Sequence, residues 1–571
     1  MSNRELAHIL NELAIYYEFT GTPFKPQALE RAADTISGLE ESIADIFKHG
    51  GRDALDKLPH IGSGIADRIE EYLTTHRIKE YDRFKKKWPI DVEDLVAVEG
   101  VGSKTVLKLY EKLGIRTRKQ LEKYARAGKL DDVPGLGKKT AEKILRSIGY
   151  QQQERGRLLL GDIEPIAHAL ETAVSALKGM RNVHATGSLR RMQETIGDLD
   201  LIATCDDPED ALRRFSKLPQ LEHVYSSGEK TALVRLRRGL DADLTIVPEE
   251  SLGAVLIAWT GDKAHNIHLR KIAIKQGLML NDYGLFRHGK LVASRTEEDV
   301  YKHLGLDFVP PELRTDSGEI EAAAQHHLPS LIGYEDLKGD LQVQTNWTDG
   351  RASIAEMVHE ARTAGLTYIC ITDHTKALAM TGGLDEKSIQ RQWEEIDRVQ
   401  AEVGRGFRIL KGTECDILED GSLDLPDEVL AQLEVVGASV HSHFNMSEKD
   451  QTARIMKVME NPHVDIIFHP TGRLIGQREP YKVDVEELLK AAKRTKTVME
   501  VDADPHRLDL KDEYIRKAVD MGVKLAIDSD AHAAEHFEYL RYGIAQARRG
   551  WASAKDVINT RTAEQMLKLL K

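Results

Sequence analysis

The chain has 571 residues, 30% of them charged, with a net charge of −13, which predicts several domains rather than one and excludes indiscriminate polyanion binding by the whole surface. No apolar run is long enough to cross a membrane, and the first residues, with an early acid and no apolar core, exclude a secretory leader. The three cysteines, Cys205, Cys370 and Cys415, lack metal-knuckle spacing, which argues against a disulfide framework and fits a reducing, cytoplasmic setting.

Residues 1–50 read as helical: Leu6, Leu10, Leu13, Ala14 and Tyr17 follow a helical stripe, and Pro23 and Pro26 punctuate it. A pattern then appears three times: Leu58-Pro59-His60-Ile61-Gly62-Ser63-Gly64, Val98-Glu99-Gly100-Val101-Gly102-Ser103-Lys104 and Val133-Pro134-Gly135-Leu136-Gly137-Lys138-Lys139. Each is a hydrophobic residue, a tight glycine turn and an amphipathic helix. Glycines let backbone N–H groups and the following helix N-terminus approach a phosphate closely, so the pattern predicts helix-hairpin-helix clamps on a DNA backbone. Internal repetition is what makes the signal specific. Residues 101–150 hold 13 Lys/Arg against 5 Asp/Glu, whereas residues 1–100 hold 13 against 19. The second and third copies are therefore the expected phosphate grips.

Residues 157–180 read as a helix. Next comes Gly187-Ser188-Leu189-Arg190-Arg191, and after a few residues Gly197-Asp198-Leu199-Asp200, leading into an apolar strand over 199–204. Alternation along a strand sends Asp198 and Asp200 to one face, and two carboxylates that close repel unless a cation sits between them. Strands over 231–237 and 242–247 follow; the second carries Asp243, whose neighbours Ala242, Leu244 and Ile246 form the opposite, apolar face. Asp241 is the competitor at the preceding turn. Three carboxylates, a Gly-Ser turn and the forked Arg191 make a nucleotidyl-transfer site with a hard divalent cation, Mg²⁺ or Mn²⁺. Trp259-Thr260-Gly261 then opens a helix bearing Asn266 and Arg270, four apart on one face.

Residues 316–335 read as a linker, and the grammar then changes. Apolar, β-branched runs at 368–372, 407–412, 435–440, 464–468, 497–501 and 523–527 alternate with helices. Asp373 with His374, Glu414, His441 with His443, His469, and Asp530 with His532 follow their C-terminal ends, where barrel folds carry chemistry.

These motifs resemble the bacterial and archaeal family X DNA polymerases with a C-terminal PHP domain, over nearly the whole chain. The resemblance implies a multidomain α+β and α/β protein: an N-terminal helical, lyase-like domain (1–90), a fingers-type helix-hairpin-helix domain (91–150), a nucleotidyltransferase palm (151–250), a thumb-type domain (251–315), the linker (316–335) and a distorted (β/α) barrel (336–571). It implies template-directed gap filling in DNA repair, with gapped or primed DNA and deoxynucleoside triphosphates as partners, in a monomer. Asp198, Asp200 and Asp243 match the metal triad; Gly187, Ser188, Arg191 and Gly197 match triphosphate contacts; Trp259, Thr260 and Gly261 match the sugar-side motif; Asn266 and Arg270 match contacts to the new base pair. Gly62, Gly64, Gly100, Gly102, Lys104, Gly135, Gly137, Lys138 and Lys139 are the expected DNA-backbone grips.

Three departures stand out. Ala258 stands where the family commonly has Tyr, and Arg68 stands where lyase-competent relatives have the Schiff-base lysine. The motif that opens the PHP domain with two histidines here reads Asp340-Leu341-Gln342-Val343-Gln344. Of three ions, Zn²⁺ or Mn²⁺ by the resemblance, the first keeps only Glu414 and Asp530, the second keeps Glu414, His441 and His469, and the third keeps Asp349, His374 and His532. The expectation is a complete polymerase centre, little lyase activity, and 3′–5′ exonuclease or abasic-site cleavage reduced or lost, unless His443 substitutes. The rival readings are a PHP-type phosphoesterase that uses the N-terminal half to deliver DNA, and a non-catalytic DNA-binding scaffold.

Overall fold

The structure is a computed structural model that describes residues 3–22, 24–37, 43–58, 60–96, 98, 101–133, 136–137, 140–141, 144–145, 157–237, 240–378 and 381–571. Gly100, Gly135, Lys138 and Lys139, named above as DNA grips, lie outside those residues. The chain forms two compact units, one of residues 1–155 with 476–479 and one of the remainder.

The first unit is helical. Its opening helix, Asn3–Phe19, buries Leu6, Leu10, Leu13, Ala14 and Tyr17, the stripe read from the sequence. The three hairpins share one backbone register. Ile61, Val101 and Leu136 donate their amides to the carbonyls of Leu58, Val98 and Val133, at 3.2, 2.9 and 3.0 Å. Gly62, Gly102 and Gly137 then accept from the residue four further on, Ala66, Val106 and Ala141, each at 3.0 Å. His60, which stands at the position of Gly100 and Gly135, takes φ +58°. This is the left-handed conformation that glycine adopts without strain.

In the second unit the strands are β1 (Leu158–Leu159), β2 (Arg181–Ala185), β3 (Thr195–Ile196), β4 (Leu199–Thr204), β5 (Leu221–Ser227), β6 (Thr231–Leu236) and β7 (Asp241–Ile246). They continue as β8 (Met279–Asn281), β9 (Gly284–Arg287) and β10 (Lys290–Ala293). A five-stranded sheet has the order β2-β4-β7-β6-β5, with β4 and β7 parallel and the other pairs antiparallel. The helices Leu160–Ser175 and Pro208–Phe215 bury Leu160, Ile163, Leu170, Leu212 and Phe215 in its core. A three-stranded meander, β8 to β10, packs with the helices Leu252–Thr260, Lys263–Lys275 and Glu297–His303. Part of the expected linker joins this core: Glu319–Ala324 is helical, and Ile320 and Ala323 are buried.

The remaining strands are β11 (Gly339–Val343), β12 (Tyr368–Ile371), β13 (Arg408–Asp416), β14 (Val435–Ser439), β15 (Ile466–Ile467), β16 (Val498–Asp502) and β17 (Leu525–Asp528). All seven are parallel and lie in sequence order. A bridge between Val343 and Ala531 brings the last strand back to the first, so the barrel is nearly closed. The sequence pattern marks six of these strands. The seventh, β11, alternates acidic and amide residues with apolar ones and was legible only as a motif. Among the described residues, no helix is long and apolar enough to cross a membrane.

Candidate functional site

The apolar side chains of β4 and β7 are buried, and the shared register sets Asp200 directly opposite Asp243. Asp198 lies two residues before Asp200, just ahead of β4, and is exposed. Burial first, then the charges of Asp198 and Asp243, push Asp200 up to about 6. Asp243 is shifted upward by burial, Asp198 and Asp241. Its Oδ1 is buried without a hydrogen-bond partner among the described residues. Asp241 is already committed: its Oδ1 accepts from Arg235 Nη1 at 2.9 Å and from Tyr225 at 3.3 Å. Three convergent, unneutralised acids with oxygen donors fit a hard divalent cation.

Gly187 opens a short helix, Gly187–Arg190, at φ +63°. A Cβ there would lie 2.9 Å from Asp200 Oδ2, so glycine alone lets this turn pass the carboxylate. The two arginines differ. Arg190 forks onto Glu297, at 2.8 and 2.7 Å, and donates to the Thr260 hydroxyl at 2.7 Å. Arg191 Nη1 donates to the Thr260 carbonyl at 2.5 Å, while its Nε is buried with no partner. Burial lowers its pKa, which favours an anion beside it. Ser188 and Gly197 are half-buried on the same loop.

Thr260 and Gly261 are buried, and Trp259 is half-buried. Thr260 is therefore linked to this loop through the two arginines that donate to it. Asn266 Nδ2 donates to the carbonyls of Ala258 and Gly261, at 2.7 and 3.0 Å, and so fixes that corner. Ala258, Asn266, Arg270 and Asn281 line one small hollow, with Arg270 half-exposed beside Asp282. Tyr283, at the β8–β9 turn, is exposed.

At the C-terminal ends of the barrel strands lies a second cluster. His374 Nε2 and His532 Nε2 lie 3.6 and 3.7 Å from Asp349 Oδ2. Glu414 is the hub: His374 Nδ1 is 3.3 Å away, His441 Nε2 3.2 Å and His469 Nε2 2.8 Å. The ligand atoms of Asp349, His374 and His532, and those of His374, Glu414 and His441, each fall within 4.8 Å of one another. Asp416 orients His441 through Nδ1 at 2.7 Å, an outer partner the sequence pattern did not reveal. Asp416 and Glu414 overcome burial and push His441 up to about 10. This donor set fits two borderline ions.

The first position is altered: amides stand where imidazoles would, and Asp530 Oδ1 and Gln344 Oε1 are buried without partners among the described residues. Gln344 Nε2 donates to Glu414 Oε2 at 2.7 Å, so an N–H sits on the carboxylate face that a cation needs. Both polar atoms of the Gln342 side chain are buried without partners. Asp530 lies 3.7 Å from the guanidinium of Arg507, which also lies 3.5 Å from Asp502. His443 is exposed, and its Nδ1 lies 3.7 Å from Glu419. Asp373 serves as scaffold, accepting from Thr345, Thr348 and Gln392, each at 2.6 Å.

In the helical unit the corner glycines Gly62, Gly64, Gly102 and Gly137 are exposed, and so is Lys104. Nothing lies within 4 Å of a Cβ built at Gly62, Gly102 or Gly137, which leaves their backbone open to a phosphate. Arg68 is bound: its Nε donates to Glu80 at 2.9 Å, Nη2 to the Tyr17 hydroxyl at 3.1 Å and Nη1 to the Gly64 carbonyl at 2.5 Å. Lys85 is committed to Glu12 and Tyr81, and Lys79 is exposed.

Comparison with known proteins matches this organisation. Residues 1–78 match a helix-hairpin-helix domain, 92–149 a SAM-like helix-hairpin-helix tandem, and 255–315 the DNA polymerase beta thumb. The chain is 35% identical to the DNA polymerase/3′-5′ exonuclease PolX of Bacillus subtilis (strain 168), over the full length of both. It is 28% identical to DNA polymerase lambda of Arabidopsis thaliana, over 55% of this chain and 62% of that one. A probable phosphatase of Thermoanaerobacter sp. (strain X514) is 34% identical over 32% of this chain and 74% of its own length. The chain belongs to the family X DNA polymerases that carry a C-terminal PHP domain.

Proposed function

We propose that this protein fills short gaps in DNA during repair, adding deoxynucleotides to a primer 3′-OH under template direction, as a monomer in the cytoplasm. The observation that carries the reading is the register of β4 and β7, which brings Asp200 against Asp243 with Asp198 beside them and, among the described residues, none of the three tied to a base. Asp198 and Asp200 would hold both Mg²⁺ or Mn²⁺ ions, and Asp243 would complete the one beside the primer. Bound there, these ions would lower the pKa of the 3′-OH and screen the triphosphate charge. Ser188, Arg191 and the backbone of Gly187 and Gly197 hold the triphosphate, so binding pre-aligns its α-phosphate for in-line attack. Trp259, Thr260 and Gly261 set the sugar side, and Asn266 and Arg270 reach the new base pair. The hairpins around Gly62, Gly64, Gly100, Gly102, Lys104, Gly135, Gly137, Lys138 and Lys139 grip the DNA backbone. The domain limits are those set out from the sequence, with residues 319–324 assigned to the thumb.

For the barrel, we propose a two-ion centre for Zn²⁺ or Mn²⁺ on Asp349, His374, Glu414, His441, His469 and His532, with Asp530 left to Arg507. The Gln344–Glu414 hydrogen bond carries that reading, and it implies 3′–5′ exonuclease activity well below that of a chain with both histidines. Arg68, held by Glu80, offers no neutral amine for lyase chemistry. Primer extension on a short-gapped duplex tests the main reading: extension that is absent in the parent, or that survives Asp198→Ala, overturns it.

A further inference from the structure

Between Arg191 and Asp198 the loop carries Glu194, a carboxylate outside the proposed triphosphate contacts. Four donors from the barrel converge on it. Arg473 gives Nη2 to Oε1 at 2.6 Å and Nη1 to Oε2 at 3.1 Å; Gln546 Nε2 reaches Oε1 at 2.9 Å, and Arg549 Nη2 reaches it at 3.4 Å. Arg549 also donates to the carbonyl of Met192, two residues earlier and next to Arg191.

The donors are themselves fixed. Arg473 and Gln546 both donate to the Leu508 carbonyl, Gln546 reaches the Leu510 carbonyl at 3.1 Å, and Arg549 Nε is held by Asp512 at 2.9 Å. Burial opposes the charge on Glu194, and Arg473 and Arg549 more than reverse this, keeping it below the ordinary carboxylate range. Leu508 and Tyr542 of the barrel pack into the core of the five-stranded sheet. The helix Leu540–Arg549 also reaches the thumb: Arg548 binds Glu312 at 2.7 Å, and Trp551 just beyond it joins the thumb core.

We propose that Arg473, Gln546 and Arg549 are positioning residues for nucleotide addition, acting through Glu194 and Met192 on the loop that presents Arg191 and Asp198. The proposal rests on the reading of that loop as the triphosphate site. It gives the barrel a part in polymerisation that does not depend on its own metal centre. Pinning the loop at two points between Arg191 and Asp198 removes freedom that a productive complex would otherwise have to freeze.

The test uses the full chain and steady-state extension of a gapped duplex. Arg473→Ala leaves a buried carboxylate short of its partner and lowers the melting temperature. The pair Glu194→Met/Arg473→Met is therefore made beside it, since an apolar pair of similar length restores packing. The expected result is a melting temperature near that of the parent, with kcat/KM for the incoming nucleotide down about tenfold and the Kd for gapped duplex unchanged. Arg473→Lys recovers part of the loss. If kcat/KM returns together with the melting temperature in the double Met variant, Glu194 and Arg473 are a structural pair only and the proposal is overturned. Extension that persists in Asp198→Ala would instead sink the reading of the loop and leave the clamp's geometry unexplained by catalysis.

Discussion

The two acidic centres of this protein handle charge in opposite ways. At β4 and β7 Asp200 faces Asp243 with Asp198 just before the strand, and among the described residues no base pairs with them and Asp243 Oδ1 has no partner. At the barrel mouth Glu414 is surrounded by His374, His441, His469 and the amide of Gln344, and Asp530 faces Arg507 through Oδ2, with only its Oδ1 unpartnered among these contacts. The first arrangement gains stability only when positive charge arrives from outside. The second has replaced part of an ion's role with its own N–H groups. A carboxylate cluster is therefore evidence for a cation site only after its internal partners have been counted.

The strongest way to break this comparison is to remove an unpaired acid. Asp198→Ala and Asp243→Asn should each reduce extension on a gapped duplex on the order of a thousandfold, with circular dichroism unchanged because neither residue holds the sheet together. A fall of only a few-fold would show that the three acids do not act as one ion-binding unit.

The next largest effect belongs to the barrel. Gln342→His/Gln344→His removes the amide from Glu414 and restores two imidazoles. Bound metal, measured by plasma mass spectrometry after dialysis, should rise from about two ions per chain to about three, with Mn²⁺-dependent 3′ degradation rising at least about tenfold. Strong degradation by the parent, or three ions bound to it, would mean that Gln342 and Gln344 serve as ligands after all.

These contrasts were unevenly legible in the sequence. The β4 strand and the spacing of Asp198 and Asp200 follow from alternation over a few residues, and the hairpins follow from repetition. The apolar parity of Ala242, Leu244 and Ile246 puts Asp241 and Asp243 on one face and does not separate them; the place of Asp241 at the first position of the strand and its pairing with Arg235 do. What stayed hidden depends on distant partners: Glu194 meets Arg473 across 279 positions and Gln546 across 352. No local pattern marks such a residue. Likewise β11 and the residue after it bury Asp340, Gln342 and Gln344, so burial there does not follow from hydrophobicity. The helix at 319–324 is short and Ala-rich, and only its packing against the thumb distinguishes it from linker.

A third acid, paired on both oxygens, extends the comparison. Glu297 lies between Arg190 and Arg314, with contacts of 2.7 and 2.6 Å. Burial opposes its ionisation, but the two guanidiniums hold it down to about 2. A carboxylate depressed in the folded state contributes stability that is full above its unfolded pKa and is lost as pH falls toward the folded one. Unfolding in urea should therefore show about 3 kcal/mol of stability disappearing between about pH 5 and 2 in the parent and absent from Glu297→Gln. Equal acid sensitivity in the two proteins would remove Glu297 from the list of paired charges.

The smallest effect separates two aspartates on one strand. Asp241 and Asp243 lie on the same face of β7, two residues apart, yet Asp241 is spoken for by Arg235 and Tyr225 at the solvent edge. An exposed pair of that kind contributes little to stability and is screened by salt. Asp241→Asn should leave nucleotide addition within about twofold of the parent, at low and high salt alike. If it instead lowers addition as far as Asp243→Asn does, the ion-binding acids are not defined by the register with Asp200, and the distinction between paired and unpaired carboxylates fails at the place where it is easiest to see.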